Sequence, residues 1–215
     1  MPSTAQVAQQ SKFYVSGTPG TAQSVTGITK ATKAVVTATN TVAVGDVVIF
    51  GAVVGMPEIN GLIGIVQASP APTGASYAVN IDSSGFATAG TTGTATPQTF
   101  TKIGNVTDFS NDGGSVNNID VTILDSTAKE YRPGLQDMGS YTMSFQTDDT
   151  DAGQLALIAA RNTLAVVVFK QVYPGSLKIR AFQGFVTKLS EPTAGVDKVL
   201  VTSAGIKVTG LISRG

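Results

Sequence analysis

From Ser140 to Thr147 the chain reads SYTMSFQT, and Tyr141, Met143 and Phe145 alternate strictly with Thr142, Ser144 and Gln146. A period of two puts the three large apolar side chains on one face, which a strand can do and a helix cannot. The segment is therefore expected as a half-buried antiparallel strand. Upstream, IDVTILD repeats the pattern, with Ile119, Val121 and Ile123 on one side and Asp120 and Thr122 on the other. Between the two lie residues 125–138, DSTAKEYRPGLQDM, with almost no apolar content. A long polar connection between clean strands is uncommon in a compact domain and tends to be functional. The body must be antiparallel β, and this connection is the first place to look for a role.

Composition agrees with a β body. The 215 residues are 42% hydrophobic, enough for a real core, while charged residues reach only 13%, about half the usual share of roughly 25%. With Gly at 24 and Thr, Val, Ala and Ser abundant, the mixture reads as strands joined by many turns. Two readings of the low charge stay open: coverage of the surface by other subunits, or the ordinary habit of small β-rich domains.

Absences narrow the chemistry. The chain has no Cys and no His, which removes Cys nucleophiles, Ser-His-Asp triads, the usual zinc sites and disulfides. Lys+Arg and Asp+Glu both number 14, so no global basic field draws nucleic acid. The start, MPSTAQVAQQSK, has neither a basic end nor an apolar run, so no signal peptide is expected. The apolar run at 164–169 is far too short to span a bilayer.

In chain order, residues 1–10 read as a flexible arm. SKFYVSG (11–17) is a short strand with Phe13 and Val15 on one side and Tyr14 on the other. TPGTAQSVTG then breaks the pattern. From 28 to 97, short Val-rich pieces at 34–39, 47–50, 62–68 and 77–81 alternate with Gly, Pro and Asn turns. That spacing predicts a small inserted β-barrel-like module, with 87–97 as a low-complexity exit linker. The division expected is 1–17 for an arm and first strand, 18–97 for the insert with its linkers, and 98–215 for the main domain.

After SYTMSFQT, DDTDAGQ opens a helix. Asp151 is placed to cap the free amides and Gln154 to complete a capping box. Leu155, Ile158, Ala159 and Asn162 follow with helical spacing, so that stripe is expected to be buried. LAVVVFKQVY is apolar on both faces, as in a central strand or one covered by a neighbour. SLKIRAFQGFVTKLS alternates again, with Leu177, Ile179, Ala181 and Phe185 opposite Lys178 and Arg180. Two last strands are expected at 196–201 and 206–212.

Carboxylate or lysine catalysis stays allowed, but no constellation in the chain is expected to carry it. Asp148, Asp149 and Asp151 lack calcium-loop spacing and read as helix capping. Asp112-Gly113-Gly114 lies in a turn and has no phosphate-cradle context. Asp125, Glu130 and Asp137 share one loop without the rigid support that an acid/base pair needs. Lys178 and Arg180 make a two-residue basic spot on a solvated strand face. Neither a cofactor nor a metal is expected.

The segments IGNVTDFSNDGG, IDVTILDSTAKEYRPGLQDMGSYTMSFQTD and AVVVFKQVYPGSLKIRAFQGFVTKLS, in that order across about 98–213, resemble the major tail tube proteins of long-tailed bacteriophages. The resemblance implies a mainly β fold: an antiparallel β sandwich or barrel with one flanking α-helix. It also implies a structural virion protein without catalysis, whose hexameric rings stack into the hollow tube that delivers phage DNA to the host. The implied partners are further copies of the chain, a tape measure and a terminator, with DNA passing through the lumen unbound and no membrane contact. The implied place is the virion tail, assembled in the host cytoplasm. Within that picture Asp125, Lys129, Glu130, Tyr131, Arg132, Pro133, Leu135 and Asp137 form a stacking loop between rings, mobile in the monomer and ordered on stacking. Thr142, Ser144 and Gln146, polar and uncharged, are expected to line the channel. The alternatives are a decoration or receptor-binding module, or a tail terminator.

Overall fold

The structure is a computed structural model and describes residues 10–174 and 178–215. In chain order it runs β1 (Lys12–Ser16), β2 (Gln23–Ile28), β3 (Val35–Ala38), β4 (Val47–Val54), β5 (Ile63–Ile65), β6 (Ser76–Ala78), β7 (Thr92–Pro97), β8 (Phe100–Ile103) and β9 (Val106–Asn111). It continues through β10 (Ser115–Asp120), β11 (Tyr131–Asp137), β12 (Ser140–Gln146), α1 (Ala152–Thr163), β13 (Val167–Val172), β14 (Ile179–Leu189) and β15 (Val201–Arg214). The fold is mainly β and antiparallel with one helix. The described helix is not long and apolar enough to cross a membrane.

Seven strands form the body, in the order β8-β1-β13-β14-β15-β12-β9. The strict alternation in β12 survives intact: Tyr141, Met143 and Phe145 are buried, while Thr142 and Gln146 are exposed. Large side chains on one face force the sheet to curl. Phe13 of β1 meets Phe109 of β9 with ring centroids 4.1 Å apart, although four strands lie between β1 and β9 in the sheet. The aromatic row continues through Tyr141 at 4.9 Å, then Phe182 at 4.5 Å, then Phe169 at 5.5 Å. Such offset contacts add to the burial of the rings themselves. The result is a half-barrel whose two edge strands, β8 and β9, are joined by the short link Gly104-Asn105.

Helix α1 lies against β8, β14 and β1 and helps fill the concave side with Leu157 and Ala160. Its close seat needs a glycine: a Cβ on Gly153 would collide with the backbone of Lys102 and Ile103. The buried positions are Gly153, Gln154, Leu157 and Ala160. The stripe expected from spacing is therefore rotated, and Leu155 and Ile158 face outward, 48% and 40% exposed. Gly153 holds the buried side at the helix start because there the helix approaches the backbone of β8 closely.

The six strands between β1 and β8 form a second sheet, β5-β4-β7-β2-β3-β6. A bridge between Val66 and Val79 joins its edges into a small barrel, around a core that includes Phe50, Met56, Ile59 and Tyr77. Two expectations need correcting here. Residues 92–97 are no linker but β7, paired with both β2 and β4, and 23–28 are the strand β2 rather than turn. Their Thr, Gly and Ser content hid them, because strand pairing satisfies the backbone whatever the side chains are.

The barrel docks on the convex side of the half-barrel. Val47, Ile63 and Ile65 pack against Val168, Ile179 and Ala181. This explains why β13 is apolar on both faces: Phe169 enters the concave core and Val168 meets the barrel. Asn80 ties the joint, accepting from Ile65 N at 2.7 Å and donating to Ser213 Oγ at 2.8 Å and Arg214 O at 2.9 Å.

Other expectations shift at their edges. In β14 a register irregularity between Ala181 and Gln183 lets Ile179 and Ala181 meet the barrel while Phe182 enters the core. Phe185 is only half-buried and stays out of it. The chain's end is one strand of 14 residues, preceded by exposed chain in which Val196 and Val199 reach solvent. Residues 1–9 of the arm expected at 1–10, and Leu177, lie outside the described residues.

Candidate functional site: a projecting arm and its elbow

β10 and β11 pair only with each other. Every residue of β10 is exposed, and in β11 only Gly134 is partly covered. Ile119 and Ile123 were expected to bury one face here, and they do not: Val116, Ile119, Ile123, Leu124, Tyr131 and Leu135 all stand in solvent, Leu135 at 92%. The connection expected as a loop over 125–138 is a loop only over 121–130, and its second half is the strand β11. A strand wetted on both faces needs no alternation, so periodicity could not find it.

The stacking-loop residues divide accordingly. Asp125, Lys129 and Glu130 sit in the exposed tip, and Tyr131, Arg132, Pro133 and Leu135 along β11. The tip is internally bonded. Thr122 N donates to Asp120 Oδ1 at 2.9 Å, Glu130 N to Thr122 Oγ1 at 3.1 Å, and Val121 N to Glu130 O at 3.0 Å. The bonds from Thr122 hold the Asp120 carboxyl below the ordinary carboxylate range.

Asp137 differs from the others because it turns back to the body. Lys207 Nζ of β15 donates to both of its oxygens, at 2.8 and 2.7 Å. That bond, with a second from Gly139 N, lowers its pKa. Asp112 completes the elbow by accepting from Ser140 N at 2.8 Å and Gly114 N at 3.1 Å, which lowers its pKa as well. The two chain crossings touch so closely that a Cβ on Gly139 would strike the Asp112 carboxylate, and one on Gly114 the Asp137 carbonyl. Both glycines also have positive φ, 79° and 66°, where L side chains are strained. Asp112-Gly113-Gly114 by itself signals only a turn; the further signal for an elbow is Gly139, two residues after Asp137.

Along β12, Thr142 sits opposite Ser110 and Gly205, and Ser144 opposite Asp108 and Ser203. Ser144 Oγ lies 3.2 Å from Ser203 Oγ. At the far end of β12, Asp151 Oδ1 accepts from Gln154 N at 2.8 Å. Gln154 does not return the bond as a capping box would. It is buried, accepts from Asp148 N at 2.9 Å and donates to Gln146 O at 2.9 Å and Gly104 O at 3.4 Å. It latches the helix start to β12 and to the link between the sheet edges.

The body is a curled antiparallel sheet with a flanking helix, and the arm projects from it with both faces in solvent. The family profile of phage tail tube proteins (TTP) matches residues 54–214, most of the chain. The chain belongs to the phage tail tube protein family. It is a structural component of the virion tail, working in assembly with other tail proteins. No curated protein sequence matches the chain. Among solved structures, a chain in the cryo-EM structure of the anti-feeding prophage (AFP) baseplate, 6-fold symmetrised, is similar at a TM-score of 0.39 and 11% identity, covering 54% of this chain and 84% of that one.

Proposed function

We propose that the chain is the major subunit of the tail tube. Six copies close a ring, rings stack, and the hollow stack delivers phage DNA to the host cell. The observation that carries this reading is the arm: a two-stranded hairpin is marginal alone in water, and this one holds Tyr131, Arg132 and Leu135 exposed. Aromatic and Arg residues are favoured at interfaces, so the arm reads as one side of a contact between rings. The open edges of β8 and β9 give the ring neighbours backbone groups to pair with. The tape measure and the terminator are its further partners, and assembly takes place in the host cytoplasm.

The lumen wall in this reading is the outer face of β12, β9 and β15. Thr142, Ser144 and Gln146 with Ser110, Ser203 and Asp108 offer hydroxyls, an amide and one acid. None of these side chains is a cation that would release counterions and hold phosphate, and the lysine on the same face of β15, Lys207, is paired with Asp137. The barrel at 18–97 is then an insert on the tube exterior. It docks on β13 and β14, with β15 standing between β14 and β12 in the sheet. Arginine at both Ser144 and Gln146 should leave tubes intact and slow or block DNA ejection; normal infection by the variant phage would remove these residues from the lumen.

Negative-stain microscopy of the purified protein at rising concentration tests the whole reading. Rings and tubes of uniform width are expected. Persistent monomers or trimers would favour a decoration or receptor-binding role instead.

A further inference from the structure

Charge is segregated across the body sheet. Its neighbouring strands β8, β1, β13, β14 and β15 carry Lys and Arg but neither Asp nor Glu. Asp108 on β9 is the one acid in the seven strands. Two arginines of this basic flank face each other. Gln171 is the register partner of Phe13 on one side and of Arg180 on the other, and Arg180 is the partner of Arg214. Residues directly opposite share a face of the sheet, so both arginines belong to the concave side that holds Phe13. Both are exposed, which sets them at its open end. Their charges reach the Tyr141 hydroxyl, whose pKa burial pushes up while the two guanidinium groups pull it down.

Arg180 is braced in place. Its guanidinium carbon lies 5.0 Å from the centre of the Tyr173 ring. Tyr173 in turn donates through its hydroxyl to Oε1 of the buried Gln171 at 2.9 Å. A guanidinium stacked on an aromatic face keeps its N–H edge for a planar oxyanion. No carboxylate of the chain answers the pair. The ion pair among the described residues joins Lys207 and Asp137, and residues 1–9 and 175–177 contain neither Asp nor Glu. After Arg214 the chain turns to the barrel side, where Gly215 lies against Ile65 and its N donates to Ile179 O at 2.8 Å. Like charges directly opposite across two strands are destabilising. The free protein therefore holds a repulsion at this point that a bound oxyanion cancels.

We propose that Arg180 and Arg214 form a seat for a carboxylate presented by an acidic segment of a partner protein, with Tyr173 positioning the Arg180 fork. Nucleic acid would instead call for a track of cations along successive phosphates. The concave side has no such track: Lys102 and Lys170 share the opposite face with Tyr14, and Lys207 is taken by Asp137. One planar carboxylate between two forks is the ligand that this geometry fits. The seat lies apart from the arm and depends on neither ring closure nor stacking.

Fluorescence anisotropy of a labelled oligoglutamate peptide titrated with the full chain at low salt tests the seat. Binding should saturate, and Arg180→Gln and Arg214→Gln should each weaken it about tenfold, the loss of one charge-assisted contact. Equal binding by all three proteins overturns the proposal. The double variant Arg180→Lys/Arg214→Lys keeps the charge without the forks and should recover little affinity; full recovery would leave a diffuse charge effect and no seat. Single-stranded oligothymidylate and inorganic phosphate serve as competitors and should displace the peptide only at far higher concentration. Displacement by the DNA at lower concentration than the peptide would assign the surface to nucleic acid, and equal competition by phosphate would leave a small-ion site; either overturns the proposal. A second reading needs no ligand. Arg214→Gln removes the opposed charge and leaves Arg180 on Tyr173, so it should raise the melting temperature at low salt by about 1–3 °C. That gain would also show that lost binding is not misfolding, whereas an unchanged or lower melting temperature contradicts the opposed pair and the seat with it.

Discussion

Two carboxylates hold the arm to the body. Asp112 accepts from Ser140 and Gly114 amides, and Asp137 pairs with Lys207; both pKa values are lowered by those bonds. A carboxyl with a lowered folded pKa stabilises above its unfolded value and loses that contribution as pH falls through the folded one. The elbow should therefore be constant through neutral pH and loosen only below the ordinary carboxylate range of about pH 4. Hydrogen exchange at the Gly114, Gly139 and Ser140 amides, corrected for intrinsic rate, should accelerate there, and Asp112→Asn should flatten the profile. Exchange that follows intrinsic chemistry alone down to pH 2 would show that these bonds do not hold the elbow. The elbow was half legible in the sequence, since Asp-Gly-Gly marks a turn. Its partner Lys207 lies 70 positions away from Asp137, and no local pattern links them.

At the scale of elements, Gln154 decides how the helix meets the sheet. Its side chain satisfies Asp148 N, Gln146 O and Gly104 O at once. Replacing it with Leu fills the space but leaves buried backbone groups unpaired, at about 1–3 kcal/mol each. Gln154→Leu should thus lower the unfolding free energy by about 3 kcal/mol in urea titration, and a change below about 1 kcal/mol would mean that water takes over these bonds. β12 was readable because one of its faces is buried and the other is wet. β11 has two wet faces and β7 hides in a Thr- and Gly-rich stretch, so neither showed the periodic signal, while the alternation at 119–123 overlaps only the end of β10 and runs on into the exposed tip. The rotated stripe of α1 has a different cause. Apolar spacing alone favours Leu155 and Ile158, yet the close approach to Lys102 and Ile103 reserves the inner side at the helix start for Gly153.

At the scale of the molecule, a half-barrel with a docked barrel on its convex side forms the body, and Val116, Ile119, Ile123, Leu124, Tyr131 and Leu135 gather exposed apolar surface on the arm. An exposed apolar surface of this kind in a protein of only 13% charged residues calls for partners. Removing Thr127–Asp137, the simplest cut suggested by sequence, would also take Asp137 from the elbow. Replacing 117–135 by a short Gly-Ser link removes the arm and keeps Asp112, Asp137 and Lys207. Sedimentation and electron microscopy of this variant beside the unmodified protein at equal concentration test the central claim most directly. Long tubes from the unmodified protein, and only folded monomers or single rings from the variant, are the expected result. Tubes of the same length from both would contradict it.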